Sequence, residues 1–275
     1  MRRKILNLRK NCVLLGNLMI NFDFHTHTKY SHGKGTIMEN ALSAKDKNLQ
    51  GIAISDHGFS HPAFGMRRKN LSKMRNDCDL ATKETGVRVL LGIESNILGI
   101  SGKTDVKESD YENLDVYLAG IHRFVTYHKM RDYFSLFAGN FLTASLKFKP
   151  SNRLIKDTTT AYVNAIKNNP IDILTHLNYL CFADALEVAK CLADYGTYLE
   201  INTKKVHLSD EEWQDIVDKT SVNFVIDSDA HSPDRVGDAK LAKDLLSRVN
   251  IPLSRIHNVE GRQPILRFTQ FKEKL

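Results

Sequence analysis

Cysteine is scarce in this chain of 275 residues, and none of its four (Cys12, Cys78, Cys181, Cys191) stands in a CxxC pair or beside a histidine pair. That argues against a disulfide framework or a cysteine zinc site, and suits buried thiols in a reducing compartment. Proline is also sparing, at six, and there is one tryptophan. No low-complexity tract interrupts the chain. No apolar run approaches the roughly 20 residues that cross a bilayer. The short apolar stretch from Cys12 to Leu15 is broken by Gly16 and Asn17, too early for a signal peptide. The chain therefore reads as cytoplasmic, with no membrane partner. Met19 immediately precedes the first strand pattern, so residues 1–18 read as an N-terminal extension, poorly ordered or derived from an upstream start.

Charge is not lacking. Thirty-nine Lys and Arg against 32 Asp and Glu leave a formal +7. That excess suits a small anionic substrate. The basic residues are dispersed, apart from Arg2-Arg3-Lys4, Arg67-Arg68-Lys69 and the C-terminal tail, and most read as a solvated surface. No extended basic and aromatic groove of the kind that tracks nucleic acid is visible. Nothing in the sequence speaks to oligomeric state.

What the chain does have is a rhythm. Strand-like runs occur at Ile20 to His25, Ile52 to Ser55, Val87 to Ile93, Val116 to Ile121, Ile171 to Thr175, Tyr198 to Ile201 and Phe224 to Ser228. Between them lie helix patterns. Thr36 with Glu39 forms a capping-box signature before a helix running to Lys47. Apolar residues at helical spacing mark Leu71 to Thr85, Thr160 to Asn168 and Ala183 to Tyr195. Ser209 opens an acidic first turn, and Asp238 to Val249 is the last amphipathic helix. Alternating strands and helices on short connectors predict βα units around a parallel sheet. Seven strands point to a barrel one βα unit short of eight, over residues 19–275. The exception is the aromatic-rich stretch 123–159, which reads as a partly helical cap over the rim.

Nearly every strand run ends in a potential metal ligand, and strand C-termini converge on one rim of such a barrel. His25 and His27 form an HxH pair, and alternation puts both rings on one face with Phe24 and Thr26 pointing away. Asp229 and His231 repeat that spacing on the last strand, next to the first in a closed barrel. Glu94 can bridge two cations, His122 and His176 can complete a second site with it, and His32, His57 and His231 can form a third. His61 lies in the loop after the second strand. His128, His207 and His257 read as surface histidines.

The segments Phe22 to His27, Ile54 to Gly58, Gly92 to Asn96, Ala119 to His122, Thr175-His176, Leu199 to Asn202 and Asp227 to His231 resemble the PHP (polymerase and histidinol phosphatase) superfamily. The likeness is greatest to its stand-alone trinuclear phosphoesterases and spans roughly residues 20–270. It implies a distorted (βα)7 TIM-like barrel with three divalent ions, Zn, Mn or Fe, at the strand C-termini. His25, His27, Glu94 and Asp229 would hold the first, His32, His57 and His231 the second, and Glu94, His122 and His176 the third. Two departures stand out. His176 is followed by Leu177-Asn178 where many relatives carry Pro-Gly, and the spacing from His27 to His32 varies within the family.

The resemblance implies hydrolysis of a small phosphomonoester such as histidinol phosphate by metal-activated hydroxide, with Glu94, Asp229 and His231 as catalytic groups. Arg67, Arg68, Arg123 and Arg235 are the candidate phosphate grips. Glu200, Asn202 and Asp56 are expected to orient ligands or waters. A protein phosphotyrosine phosphatase of the same fold is the alternative activity, and a non-catalytic PHP module the alternative class.

Overall fold

The computed structural model describes residues 18–127 and 129–275. All but Leu18 of the expected N-terminal extension lies outside the described residues, as does His128. Leu18 itself is buried against the core. Seven parallel strands lie in chain order: β1 (Phe22–Thr26), β2 (Gly51–Ile54), β3 (Arg88–Asn96), β4 (Val116–Gly120), β5 (Ile173–Leu174), β6 (Tyr198–Asn202) and β7 (Phe224–Asp227). A parallel bridge between Thr26 and Ala230 joins the last strand's end to the first, giving a nearly closed barrel.

Helices cover the outside, and their ends follow the capping residues in the sequence. In α1 (Ile37–Asp46) the Thr36 hydroxyl accepts from Glu39 N (3.2 Å), while the Glu39 carboxylate accepts from Thr36 N (2.7 Å). The helix α2 (Leu71–Thr85) stops at Gly86, whose φ of 77° is the left-handed cap that glycine adopts without a Cβ penalty. Beyond β4 the chain forms α3 (Met130–Asp132), a π-helical turn over Tyr133–Ala138, α4 (Gly139–Ser145) and α5 (Asn152–Asn168). Thus Thr160 to Asn168 is the second half of a longer helix. Next come α6 (Ala185–Tyr195), α7 (Asp210–Lys219) and α8 (Lys240–Arg248), the first two capped by Asp184 and Ser209. The short α9 (Arg267–Lys272) ends the chain. Cys78, Cys181 and Cys191 are buried free thiols.

Two apolar layers result. The larger packs helices onto outward-facing strand residues such as Ile54, Leu91, Tyr117 and Leu199. The smaller takes alternate residues of each strand, Phe22, Phe24, Ala53, Leu90, Val116, Leu118, Ile173, Tyr198 and Val225, and fills the barrel interior. Phe24 therefore points inward, not away. The reason is a β-bulge: β1 places the four residues from Asp23 to Thr26 against three from Ile52 to Ile54. The extra residue resets the alternation, so His25 joins the inward face just above Phe24.

Below the rim, side chains complete the seam between β1 and β7. Asp23 accepts from Ser228 N (3.1 Å), Ser228 Oγ (2.5 Å) and Gly237 N (2.8 Å). Asp227 in turn accepts from Phe24 N (2.8 Å). Both carboxylates are fully buried, and burial raises both acids above the usual carboxylate range. With His25 N, which also donates to Asp23 (3.3 Å), Asp23→Ala leaves four donors without their acceptor, three of them backbone N–H groups. It is expected to cost at least about 2 kcal/mol in urea denaturation of the metal-free protein; a change under about 0.5 kcal/mol would show that the seam does not depend on it.

Candidate metal centre

Glu94 sits on β3 with no exposed surface, and its two oxygens face different histidines. Oε1 lies 2.6 Å from His176 Nε2, 2.8 Å from His122 Nε2 and 3.3 Å from His25 Nε2. Oε2 lies 2.7 Å from His57 Nδ1 and 3.6 Å from His27 Nε2. Across the seam, Asp229 Oδ1 is 3.3 Å from His27 Nε2 and 3.1 Å from His231 Nδ1. Ligand atoms within 4.8 Å of one another group as His25, His27 and Asp229, as His27, His57 and His231, and as His57, Glu94 and His122. The barrel thus brings every ligand named from the sequence to one rim. His32 is the outermost, an exposed ring with its centroid 4.3 Å from His231 and 4.9 Å from His57.

These residues fit a set of divalent cations. His25 and His27 point Nε2 at Nε2 across 3.1 Å, an approach that two lone pairs disfavour and a shared cation satisfies. Glu94 Oε2 is buried, and among the described residues no hydrogen bond of acceptable geometry reaches it. A donor set of imidazoles and carboxylates suits Zn, Mn and Fe. Burial opposes ionisation of Glu94, yet His122, His25 and His57 hold its acid well below the carboxylate range. Burial brings His57 down to about 4 against the opposing pull of Glu94, keeping it neutral as a ligand must be.

The residues behind the rim hold the ligands in place. Glu200 is buried on β6; its Oε1 accepts from His25 Nδ1 at 2.6 Å, and its Oε2 accepts from His176 N at 2.7 Å. That contact turns His25 Nε2 toward the centre. Asn202 donates to Glu200 Oε2 (3.0 Å) and Asp229 Oδ2 (3.2 Å). Asp56 accepts from Thr28 N (2.7 Å), Thr28 Oγ1 (2.6 Å) and Ser31 Oγ, pinning the loop that carries His32. All three candidates for an orienting role therefore touch a ligand or the loop that bears one. Backbone strain concentrates in the same place: His176, Asn178, Leu180 and Asp229 have φ of 27°, 64°, 56° and 48°. Asparagine is among the residues that tolerate this region, so Asn178 takes the turn here.

The arginines fare differently. Arg68 pairs with Asp110 (3.0 Å) and lies over the Phe59 ring (3.9 Å). Arg235 pairs with Asp238 (3.2 Å) and donates to Thr203 O, facing an outer groove beside Leu49. Arg123 lies over Phe141, and Arg67 is exposed. None of the four lines the rim cavity of about 360 Å³. Nor does any described residue of 123–159, which runs into the first turns of α5, joins Asn140 to Thr158 (3.2 Å) and braces Ile100 N with Asp132 (3.2 Å). The cavity wall comes from the loops after β5 and β6, through Tyr179, Leu180, Lys204, Lys205 and His207. Lys204 Nζ lies 3.3 Å from Asp229 Oδ1 and 3.1 Å from His231 Nδ1. The lysines lie just beyond the Glu200-Ile201-Asn202 motif, and that adjacency was the signal available. His207, expected at the surface, borders the cavity because the loop folds back over Tyr179, ring centroids 4.9 Å apart.

Fold and site together define a parallel α/β barrel with a candidate polynuclear metal centre at its C-terminal rim. The PHP domain model matches residues 23–204, and the chain belongs to that family. Two relatives are named probable phosphatases. One, from Vibrio campbellii, is 29% identical over 92% of this chain and 98% of its own. The other, from Caldanaerobacter subterraneus, is 30% identical over 88% of each. Among solved structures, the histidinol phosphate phosphatase of Lactococcus lactis, complexed with zinc, L-histidinol and phosphate, superposes with a TM-score of 0.54. The alignment covers 82% of this chain and 90% of that one at 12% identity, so that likeness bears on fold.

Glu200→Gln keeps the shape but places an amide against both His25 Nδ1 and His176 N. Metal affinity, titrated with Mn or Zn on the purified protein, is expected to fall about 10- to 100-fold. Circular dichroism should be unchanged, and unchanged affinity would remove Glu200 from the account.

Proposed function

We propose that this PHP-domain phosphatase hydrolyses small phosphomonoesters at the rim. Three divalent cations would be held by His25, His27, Glu94 and Asp229, by His32, His57 and His231, and by Glu94, His122 and His176. Such ions, when bound, supply acidification of water and neutralisation of charge on phosphoryl oxygens. The observation that carries the reading is the two-sided Glu94 carboxylate, buried beneath an open cavity and faced by five histidines from four strand ends. Water oxygen bonds to phosphorus, the bond from phosphorus to the leaving oxygen breaks, and that oxygen takes a proton.

The chain's own residues divide the remaining work. Glu200 and Asn202 hold His25, His176 and Asp229 in place. Lys204, beside Asp229 and His231, offers a positive charge where a phosphoryl group would enter, the part expected of the arginines. Glu94, Asp229 and His231 are the groups proposed as catalytic, since each faces the cavity floor or the seam beside it. Histidinol phosphate is the substrate the family suggests, and the Lactococcus protein of similar fold was solved with L-histidinol and phosphate. Phosphotyrosine on a protein is the rival substrate.

Phosphate release from histidinol phosphate, a phosphotyrosine peptide and an aryl phosphate tests the reading, with Mn, Zn or Fe supplied to chelator-stripped protein. Turnover is expected to vanish with chelation and return with metal. No release from any substrate under all three metals would sink the phosphatase proposal.

A further inference from the structure

Beyond the ligands themselves, the cavity presents a leaving group with cationic, aromatic and aliphatic side chains. Among the described residues that line it, Asp229 is the one carboxylate, and its Oδ1 already faces His27, His231 and Lys204 at 3.1–3.3 Å. The two lysines are set there by the backbone. Asn202 Oδ1 accepts from Lys204 N (2.9 Å) and Lys205 N (3.2 Å), fixing the turn that aims successive residues at the mouth. Lys204 leans down to the rim. Lys205 is exposed, borders the same cavity, and among the described residues pairs with no carboxylate. An ammonium on the leaving group would therefore meet like charge with no counter-charge beyond one engaged aspartate, whereas a second anion would meet an unengaged lysine.

Resting on the reading above that the site cleaves a phosphomonoester, we propose that its substrate carries a second anionic group on the leaving side, bound by Lys205, and that cationic leaving groups are selected against. That separates the substrate from amino-alcohol phosphates such as histidinol phosphate. The reaction is unchanged: water adds to phosphorus, and the released alcohol keeps its second anion.

Hydrolysis-resistant phosphonates of matched length test binding apart from turnover: 3-phosphonopropionate (carboxylate), propane-1,3-bisphosphonate (second phosphonate), propylphosphonate (neutral) and 3-aminopropylphosphonate (ammonium). In calorimetric titration of the metal-loaded protein, at least one of the dianion-bearing probes is expected to bind ten-fold or more tighter than the ammonium probe, the neutral probe lying between. Which one leads identifies the second anion as carboxylate or phosphate. Lys205→Glu should cut the anion-to-ammonium ratio by ten-fold or more, and Lys205→Arg should preserve it. Equal or tighter binding of the ammonium probe, or a ratio unmoved by Lys205→Glu, would overturn the inference. Turnover is read in parallel on 3-phosphoglycerate, glycerol 3-phosphate and 3-aminopropyl phosphate. Release from none of them nor from the three substrates tested above, with the phosphonates still ranked by charge, defeats the phosphatase reading and supports the charge selection. Release from all without a charge ranking does the reverse.

Discussion

The rim of this barrel is organised around one buried carboxylate. Glu94 has no exposed surface, and burial of a charge without partners is costly. Histidines converge on it from the ends of β1, β2, β4 and β5, through both oxygens. Remove that carboxylate and the rings are left crowding one another, as His25 and His27 already do at 3.1 Å. The barrel explains why they can meet at all: parallel strands deliver their C-terminal residues to one end whatever their separation in sequence. The pair at β7, Asp229 and His231, reaches the same place because β7 closes against β1.

Closure in turn rests on buried acids that belong to the frame. Asp23 and Asp227 replace backbone ladder bonds along the lower seam, with their own carboxyls raised by burial. Above them the β1 bulge turns His25 inward next to Phe24, so one strand supplies both the apolar filling and the first ligands. Glu200 then holds His25 from behind. Fold and site are in this sense one structure: the residues that shut the barrel stand two positions from those that would bind metal.

Much of this could be read from the chain. Strand ends were legible because apolar runs stop abruptly at His, Asp or Glu, and the helices because apolar residues recur at helical spacing and Thr36 and Ser209 mark two of the starts. The bulge was not, since a single extra residue in a strand of five leaves no compositional trace, and strict alternation misplaced Phe24. The arginines misled for a different reason. Proximity to a ligand in sequence says nothing about direction, and Arg68 and Arg235 turn to Asp110 and Asp238 rather than to the cavity. The lysines that do line it follow a motif whose loop geometry, set by Asn202 Oδ1, is visible only in three dimensions.

Glu94 is proposed to join cations through its two oxygens. Crystals grown with manganese, with data collected at the metal's absorption edge, test it directly. The account predicts anomalous peaks on both sides of Glu94, with Oε1 and Oε2 directed to different ions and His122 and His176 on the Oε1 side. Peaks confined to one side of Glu94, or none at the rim in a protein saturated with manganese, would contradict it.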